Sequence, residues 1–154
     1  HADLSAFVIA VHIVGMYGLA PFVGRAVERI GRVRSIQIGA VVLGCGTLAT
    51  VLAGYVPGLM FVGLFLLGLG FNIGLISGST LLTTSVPVES KVEVQGTSDL
   101  MMSLSGALAA FGSGFVKQSF GFHLLANAGA ALAAGLLVCA WLTASHSQAP
   151  SSPV

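Results

Sequence analysis

The stretch LMFVGLFLLGLGFNIGLISGSTLLTTSV, residues 59–86, contains no charged side chain. It exceeds the roughly 20 apolar residues that an α-helix needs to cross the hydrocarbon of a bilayer. The rest of the chain has the same character, since 55% of its 154 residues are apolar, only 7% are charged and the mean hydropathy is +0.98. A soluble domain carries about 25% charged residues. The composition therefore excludes an ordinary solvated surface and predicts a membrane protein.

Five long apolar segments follow one another along the chain, and each is long enough to span a bilayer as a helix. They do not alternate in hydrophobicity, which excludes the strands of a membrane barrel. They cover about residues 4–23, 36–54, 59–86, 96–116 and 122–143. We therefore predict an all-α membrane protein with a five-helix transmembrane bundle over residues 1–144. A Ser/Pro-rich tail, residues 145–154, is expected to be disordered.

The basic residues predict the orientation of the bundle. Because five helices alternate sides, the segment 25–34, the loop at Lys91 and the C-terminal tail share one side of the membrane. That side holds five Lys or Arg residues, and the other side holds only Lys117. The positive-inside rule makes the richer side cytoplasmic. We therefore expect a cytoplasmic C-terminus.

Small residues recur at every fourth position in two of the spans, a spacing that lets helix backbones approach closely in lipid. The third span carries Gly70, Gly74 and Gly78, and the fourth carries Gly106, Ala110 and Gly114. We interpret these rows as general helix contacts rather than as a specific dimer motif.

Residues 24–34, GRAVERIGRVR, hold four of the six Lys and Arg residues in one predicted turn. Gly24 and Gly31 would allow close approach and a sharp reversal of the chain. The arginines can bond to carboxylates or to exposed carbonyls at helix C-termini. A loop that only sets topology and meets anionic lipid would not need the glycines. We therefore favour a conformational latch formed by Gly24, Glu28, Arg29, Gly31, Arg32 and Arg34.

The pattern of this basic segment, G-x-x-x-E-R-x-G-R-x-R, resembles the signature loop of the major facilitator superfamily, which usually has Asp at the position of Glu28. Residues 68–103 resemble the tenth and eleventh helices of a group of bacterial transporters in that superfamily, and residues 12–16 resemble the eighth helix. The resemblance covers residues 4–143. It implies helices eight to twelve of a twelve-helix transporter, so that the chain is a fragment without its N-terminal half.

The resemblance also implies a function. We expect a secondary active transporter that moves a small solute across the bacterial inner membrane by alternating access, coupled to protons. Its partners would be the lipid bilayer, the small-molecule substrate and the missing N-terminal transporter half. The alternative is a non-transporting, five-helix membrane interaction subunit.

Ionisable residues within a span are costly, which makes them functional candidates. His12 would lie about 20 Å from the cytoplasmic interface, and it suits proton coupling or substrate hydrogen bonding. A neutral His12 bonded to a neighbouring helix is the slightly favoured alternative. Asp99 could bind a proton or a cationic substrate group, but we favour a structural pair with an arginine of a cytoplasmic loop.

Two uncharged polar residues accompany His12 and Asp99. Gln95 precedes Asp99 by one helical turn on the same face, and Asn72 stands in the third span. By the resemblance, the helices of His12, Asn72 and Asp99 line the central cavity. For Asn72, substrate contact and interhelical hydrogen bonding are equally favoured. We take His12, Asn72, Gln95 and Asp99 as candidates for the substrate or proton pathway.

The sequence shows no Ser/His/Asp frame on a defined scaffold, no cluster with metal-ligand spacing and no phosphate-binding loop. We therefore expect no enzymatic activity, no cofactor, no metal and no nucleic-acid partner.

Overall fold

A computed structural model describes residues 2–53, 56 and 58–120, together with four isolated pairs between residues 131 and 142. Five α-helices lie in this part: Ala2–Ile13 (α1), Ala20–Ile30 (α2), Arg32–Leu52 (α3), Leu59–Thr84 (α4) and Lys91–Phe120 (α5). A π-helix, Val14–Gly18, joins α1 to α2, and a 3-10 turn, Val88–Ser90, precedes α5. The described residues contain no strand. The predicted all-α class is therefore confirmed.

Three helical segments are long and apolar enough to cross a membrane: Arg32–Leu52, Leu59–Thr84 and Val88–Val116. A bent pair, Ala6–Gly18 with Ala20–Ile30, makes a fourth if it is counted as one span. The predicted fifth span, residues 122–143, lies outside the described residues except for the isolated pairs, which are helical. The predicted tail, residues 145–154, lies wholly outside them.

The first predicted span is not one straight helix, and this corrects the sequence prediction. α1 passes into the π-helix, and the helix that follows is bent from it by 43°. Pro21, in the first turn of α2, explains the break because proline has no N–H to donate to the preceding turn. The next two N–H groups, of Phe22 and Val23, both donate to the carbonyl of Leu19. The first span therefore consists of two helical pieces, Ala6–Gly18 and Ala20–Ile30, with the bend between them.

α3 and α4 pack antiparallel through glycines that are spaced by seven residues on each helix. A methyl group placed on Gly46 would lie 2.8 Å from the backbone nitrogen of Leu67 and 3.0 Å from the carbonyl oxygen of Gly63. A methyl group on Gly70 would lie 2.8 Å from the backbone nitrogen of Leu43. In lipid, where apolar side chains gain little by meeting each other, such close backbone packing stabilises a helix pair.

α1 and the π-helix occupy a different side of α4. A methyl group on Gly15 would lie 2.6 Å from the carbonyl oxygen of Phe65, and one on Gly68 would collide with the carbonyl oxygen of His12. Gly68 and Gly70 are two residues apart, which is about 200° around an α-helix. α4 is therefore the central helix, with α3 against one side and the first span against the other.

The predicted rows of small residues differ in their contacts within the described part: a methyl group on Gly39 would lie 3.1 Å from the backbone nitrogen of Gly74 and 3.3 Å from the carbonyl oxygen of Gly70. Gly70 packs tightly, whereas methyl groups on Gly74, Gly78, Gly106 and Gly114 would meet nothing within 4 Å. A step of four residues drifts about 40° around a helix, while a step of seven drifts only about 20°. Over several turns, the spacing of seven therefore stays closer to one contact line than the spacing of four.

Replacing Gly46 with Ala should lower the free energy of unfolding of the intact protein by about 1–3 kcal/mol, because the new methyl group must displace backbone atoms of α4. The measurement is denaturant unfolding in mixed micelles. Gly106→Ala is the matched control, since its methyl group would meet nothing within 4 Å. Equal stability of the two variants would contradict the close α3–α4 packing.

Candidate functional site

The basic segment, residues 24–34, is helical on both sides of a single glycine. α2 ends at Ile30 and α3 begins at Arg32, and between them Gly31 has φ 95° and ψ 148°. It has the only positive φ among the described residues. The Gly31 N–H donates to the carbonyl of Val27 at 3.0 Å, and the Ser35 hydroxyl donates to the carbonyl of Gly31 at 2.8 Å. The reversal is therefore one residue long and hydrogen-bonded on both sides.

Gly24 does not take part in this reversal, which corrects the prediction that both glycines shape a loop. It lies inside α2, and a methyl group on it would meet nothing within 4 Å. Val23 and Val27 are the buried residues of α2. Their side chains pack against the rest of the protein. α2 runs as far as Ile30, directly before Gly31.

The charged side chains of the basic segment are exposed. They are Arg25, Glu28, Arg29, Arg32 and Arg34. Within the described residues, one of these side chains forms a hydrogen bond: Nη1 of Arg25 donates to the carbonyl of Pro21 at 3.3 Å. The structure thus gathers the predicted latch residues, except Gly24, around one backbone break and leaves their charged groups accessible.

Two polar side chains join the first span to α4. His12 Nδ1 donates to the carbonyl of Leu64 at 2.7 Å, which is the interhelical contact that the sequence predicts for a neutral His12. Asn72 is 2% exposed, and its Nδ2 donates to the carbonyl of Gly15 at 3.5 Å. Because Nδ1 of His12 carries the donated proton, Nε2 of the neutral ring is the nitrogen that can accept one.

The acceptor of the Asn72 amide lies in an unusual segment. Gly15 belongs to the π-helix Val14–Gly18, and π-helices are rare and frequently mark functional sites. The π-helix is also the joint of the bent first span. Both contacts, His12 with Leu64 and Asn72 with Gly15, therefore lie on the N-terminal side of the bend in the first span.

A second polar contact joins α4 to α5. The Ser79 hydroxyl donates to Oε1 of Gln95 at 2.8 Å, and Nε2 of Gln95 donates to Oδ1 of Asp99 at 2.8 Å. We call these three residues the polar chain. Among the described residues, Asp99 therefore meets Gln95 and no arginine, so the predicted Asp99–arginine pair is not found in this part of the chain. Gln95 lies one turn before Asp99 on the same helix, so its amide reaches the carboxylate directly.

A groove of about 300 Å³ opens between α3, α4 and α5 beside the polar chain. Its walls are largely apolar and include Leu43, Phe71, Leu75 and Met102. Gly74 and Gly78 also line it, and their missing side chains leave the space open. Gln95 and Asp99 also line the groove and contribute polar side chains to it.

The four pathway candidates do not form one cluster. His12 and Asn72 lie between the first span and α4, whereas Gln95 and Asp99 lie between α4 and α5. Among the described residues, no group of three or more His, Cys, Asp or Glu side chains could hold a metal ion.

The sequence gives little sign of two further polar residues. Ser79, which links Gln95 to α4, carries no pattern that predicts its partner. Ser77 is fully buried, and its hydroxyl has no hydrogen-bond partner in the described part. It follows Gly63 and Gly70 at a spacing of seven, so the periodicity of the α3 contact face is the signal that could have predicted its burial.

Comparison with known proteins identifies relatives of this chain. The model of the Major Facilitator Superfamily matches residues 1–153. The MFS-type transporter YdeG of Bacillus subtilis is 37% identical over 147 residues, which cover 90% of this chain and 33% of the relative. The MFS-type transporter YddS of the same organism is 35% identical over 126 residues, covering 81% of this chain and 29% of the relative.

A more distant relative is the riboflavin transporter RfnT of Brucella anthropi, 26% identical over 123 residues, which cover 80% of this chain and 31% of that protein. The chain thus spans about a third of the length of these relatives. No solved structure matches it significantly.

The two glycines of the basic segment should respond oppositely to alanine. Gly31→Ala should lower the free energy of unfolding by about 1–3 kcal/mol, because φ of 95° is strained for any residue with a Cβ. Gly24→Ala should leave stability unchanged or raise it by about 0.5–1 kcal/mol, since alanine favours a helix interior. Denaturant unfolding of the intact protein measures both, and destabilisation by Gly24→Ala alone would refute this assignment.

Proposed function

This chain belongs to the major facilitator superfamily, and we propose on that basis that it forms helices eight to twelve of a secondary active transporter. The family match over residues 1–153 carries the assignment to a transporter, and the helix numbers rest on the resemblance of residues 12–16 and 68–103 to the eighth, tenth and eleventh helices. The proposal is supported by the share of each relative that the chain covers, which is 29% for YddS and 33% for YdeG. The N-terminal half of the transporter would then be the partner against which this part moves.

The transporter moves a small solute across the bacterial inner membrane by alternating access, in which one half rocks against the other as a rigid body. Close backbone contacts of α4 with α3 and with α1 support this mechanism, because they let these helices move as one unit. RfnT is named for riboflavin, a small organic molecule, and a small organic solute is proposed here too.

The uneven distribution of Lys and Arg supports a cytoplasmic C-terminus.

The basic segment acts as the latch of this movement. Gly31 provides a one-residue joint between α2 and α3, and the exposed Arg29, Arg32 and Arg34 can bond to a partner in one arrangement and release it in the other. Glu28 is the one acidic residue of the basic segment. A purely topological loop would need the positive charges but not a glycine joint with positive φ.

His12 is the residue proposed for proton coupling. Its Nδ1 is held by the Leu64 carbonyl, which leaves Nε2 to take up and release a proton. α4, which packs against it, carries no ionisable side chain over Leu59–Thr84, and Tyr17 is the ionisable residue of the adjoining π-helix. The Nδ1–Leu64 bond can persist in either protonation state, so the proposed coupling acts through Nε2.

Arg29→Ala should reduce solute flux by about tenfold or more while membrane insertion persists, because it removes a charge-assisted contact from the latch. Lys91→Ala is the control: it removes one positive charge from the same predicted side of the membrane but lies outside the basic segment. Flux is measured in proteoliposomes with a solute identified by screening a deletion strain against its parent. Equal flux through both variants and the natural protein would refute the latch.

His12→Asn should flatten the pH dependence of transport between about pH 5 and 8, because the asparagine amide nitrogen can take the position of Nδ1 and donate to Leu64 but does not titrate. Flux is measured across this pH range with the proton gradient collapsed and then restored. A pH profile identical to that of the natural protein would remove His12 from the coupling step.

A further inference from the structure

We propose that Asn72 is a positioning residue that keeps the first span in its π-helical form and thereby sets which face of α2 is buried. Its amide supplies a hydrogen bond to the carbonyl of Gly15, which loses its α-helical donor in the π-helix. The proposal goes beyond the proposed function, because it concerns a choice between two helical forms and can be tested without any transport.

The lost hydrogen bond originates at Pro21. In a continuous α-helix the carbonyl of Tyr17 would accept a hydrogen bond from residue 21, but proline has no N–H to donate. The N–H of Leu19 donates to Tyr17. In an α-helix that same N–H would donate to the carbonyl of Gly15. Gly15 therefore loses its α-helical donor, and Nδ2 of Asn72 donates to its carbonyl at 3.5 Å.

The close contact between the first span and α4 brings the amide of Asn72 within reach. Gly15 packs against α4 so closely that a methyl group on it would lie 2.6 Å from the carbonyl oxygen of Phe65. Asn72 follows Gly68, the other glycine of this contact, by about one helical turn. Its side chain is 2% exposed, and a buried amide without a partner is costly. The bond to Gly15 therefore favours the π-helical form.

The alternative form is an ordinary proline-kinked α-helix. In that form the N–H of Leu19 would return to the carbonyl of Gly15, and the amide of Asn72 would lose its place on that carbonyl. A π-helical turn, with its i→i+5 bonds, contains one residue more than an α-helical turn. If Val14–Gly18 became α-helical, each later residue would take the place of its successor, which is a rotation of about 100°.

This rotation would exchange the buried and exposed faces of α2. Phe22, which is 68% exposed, would take the buried place of Val23. Val27, which is 3% exposed, would take the exposed place of Glu28. The other charged side chains of α2 would turn with them. Asn72 therefore sets the orientation of α2 from a distance, through the π-helix.

The test measures the reactivity of single cysteines in the intact protein, in detergent and without any solute or gradient. Phe22→Cys and Val27→Cys are introduced one at a time into a cysteine-free background, and their rates of reaction with methyl methanethiosulfonate are measured. With Asn72 present, we expect Phe22→Cys to react faster than Val27→Cys, as the exposure of the two positions requires.

Asn72→Leu keeps a side chain of similar shape but removes the hydrogen-bond donor. It should raise the ratio of the Val27→Cys rate to the Phe22→Cys rate by about tenfold or more, because a buried hydrogen bond no longer favours the π-helical form. The first rate should rise and the second should fall. A general loosening of the protein would raise both, so a parallel rise or an unchanged ratio would overturn the proposal.

Ser77→Ala is the matched control. Ser77 is a fully buried polar residue of the same helix, but it lies on the α3 face, and its hydroxyl has no hydrogen-bond partner in the described part. Its removal should leave the ratio unchanged, and a change equal to that of Asn72→Leu would contradict the proposal. Asn72→Ala is a second variant without the donor. Failure of both Asn72 variants to fold would also overturn the proposal, because a contact that only selects between two helical forms should leave the fold intact.

Discussion

The close approach of α4 to its neighbours is the contact on which the rest of the structure depends. In a bilayer, burying one apolar side chain against another gains little, so helix association relies on close packing of the backbones. Gly46 and Gly70 allow this between α3 and α4, and Gly15 and Gly68 allow it between the first span and α4. The polar groups of the candidate site are then positioned by a rigid central helix.

The central helix separates two kinds of polar contact. On the side of the first span, His12 and Asn72 bond to backbone carbonyls, so that each side chain spans two helices. On the side of α5, Ser79 meets Gln95, and a carboxylate ends the chain of hydrogen bonds. The first contact joins the first span to α4 on the N-terminal side of its bend, and the second borders a groove. One helix thus takes part in both sets of polar contacts.

The bent first span links the basic segment to the membrane interior. Pro21 breaks the helix near its middle, and Gly31 breaks the chain again at its end, so α2 is a short piece between two joints. α2 carries Arg25, Glu28 and Arg29 on its exposed surface and buries Val23 and Val27. α2 therefore lies directly between the basic segment and the π-helix, whose Gly15 accepts a hydrogen bond from Asn72.

The sequence by itself determined the membrane class, the positions of α3 and α4 and the family, because long uncharged runs and a spaced Gly/Arg pattern are local properties of the chain. It also indicated His12 and Asn72 as interhelical contacts, since polar groups in a span require a partner. Only the tertiary structure decided which glycines touch another backbone and that Asp99 meets Gln95 rather than an arginine. Those outcomes depend on which helix faces meet in space. Residue spacing along one helix specifies a face but does not specify its neighbour.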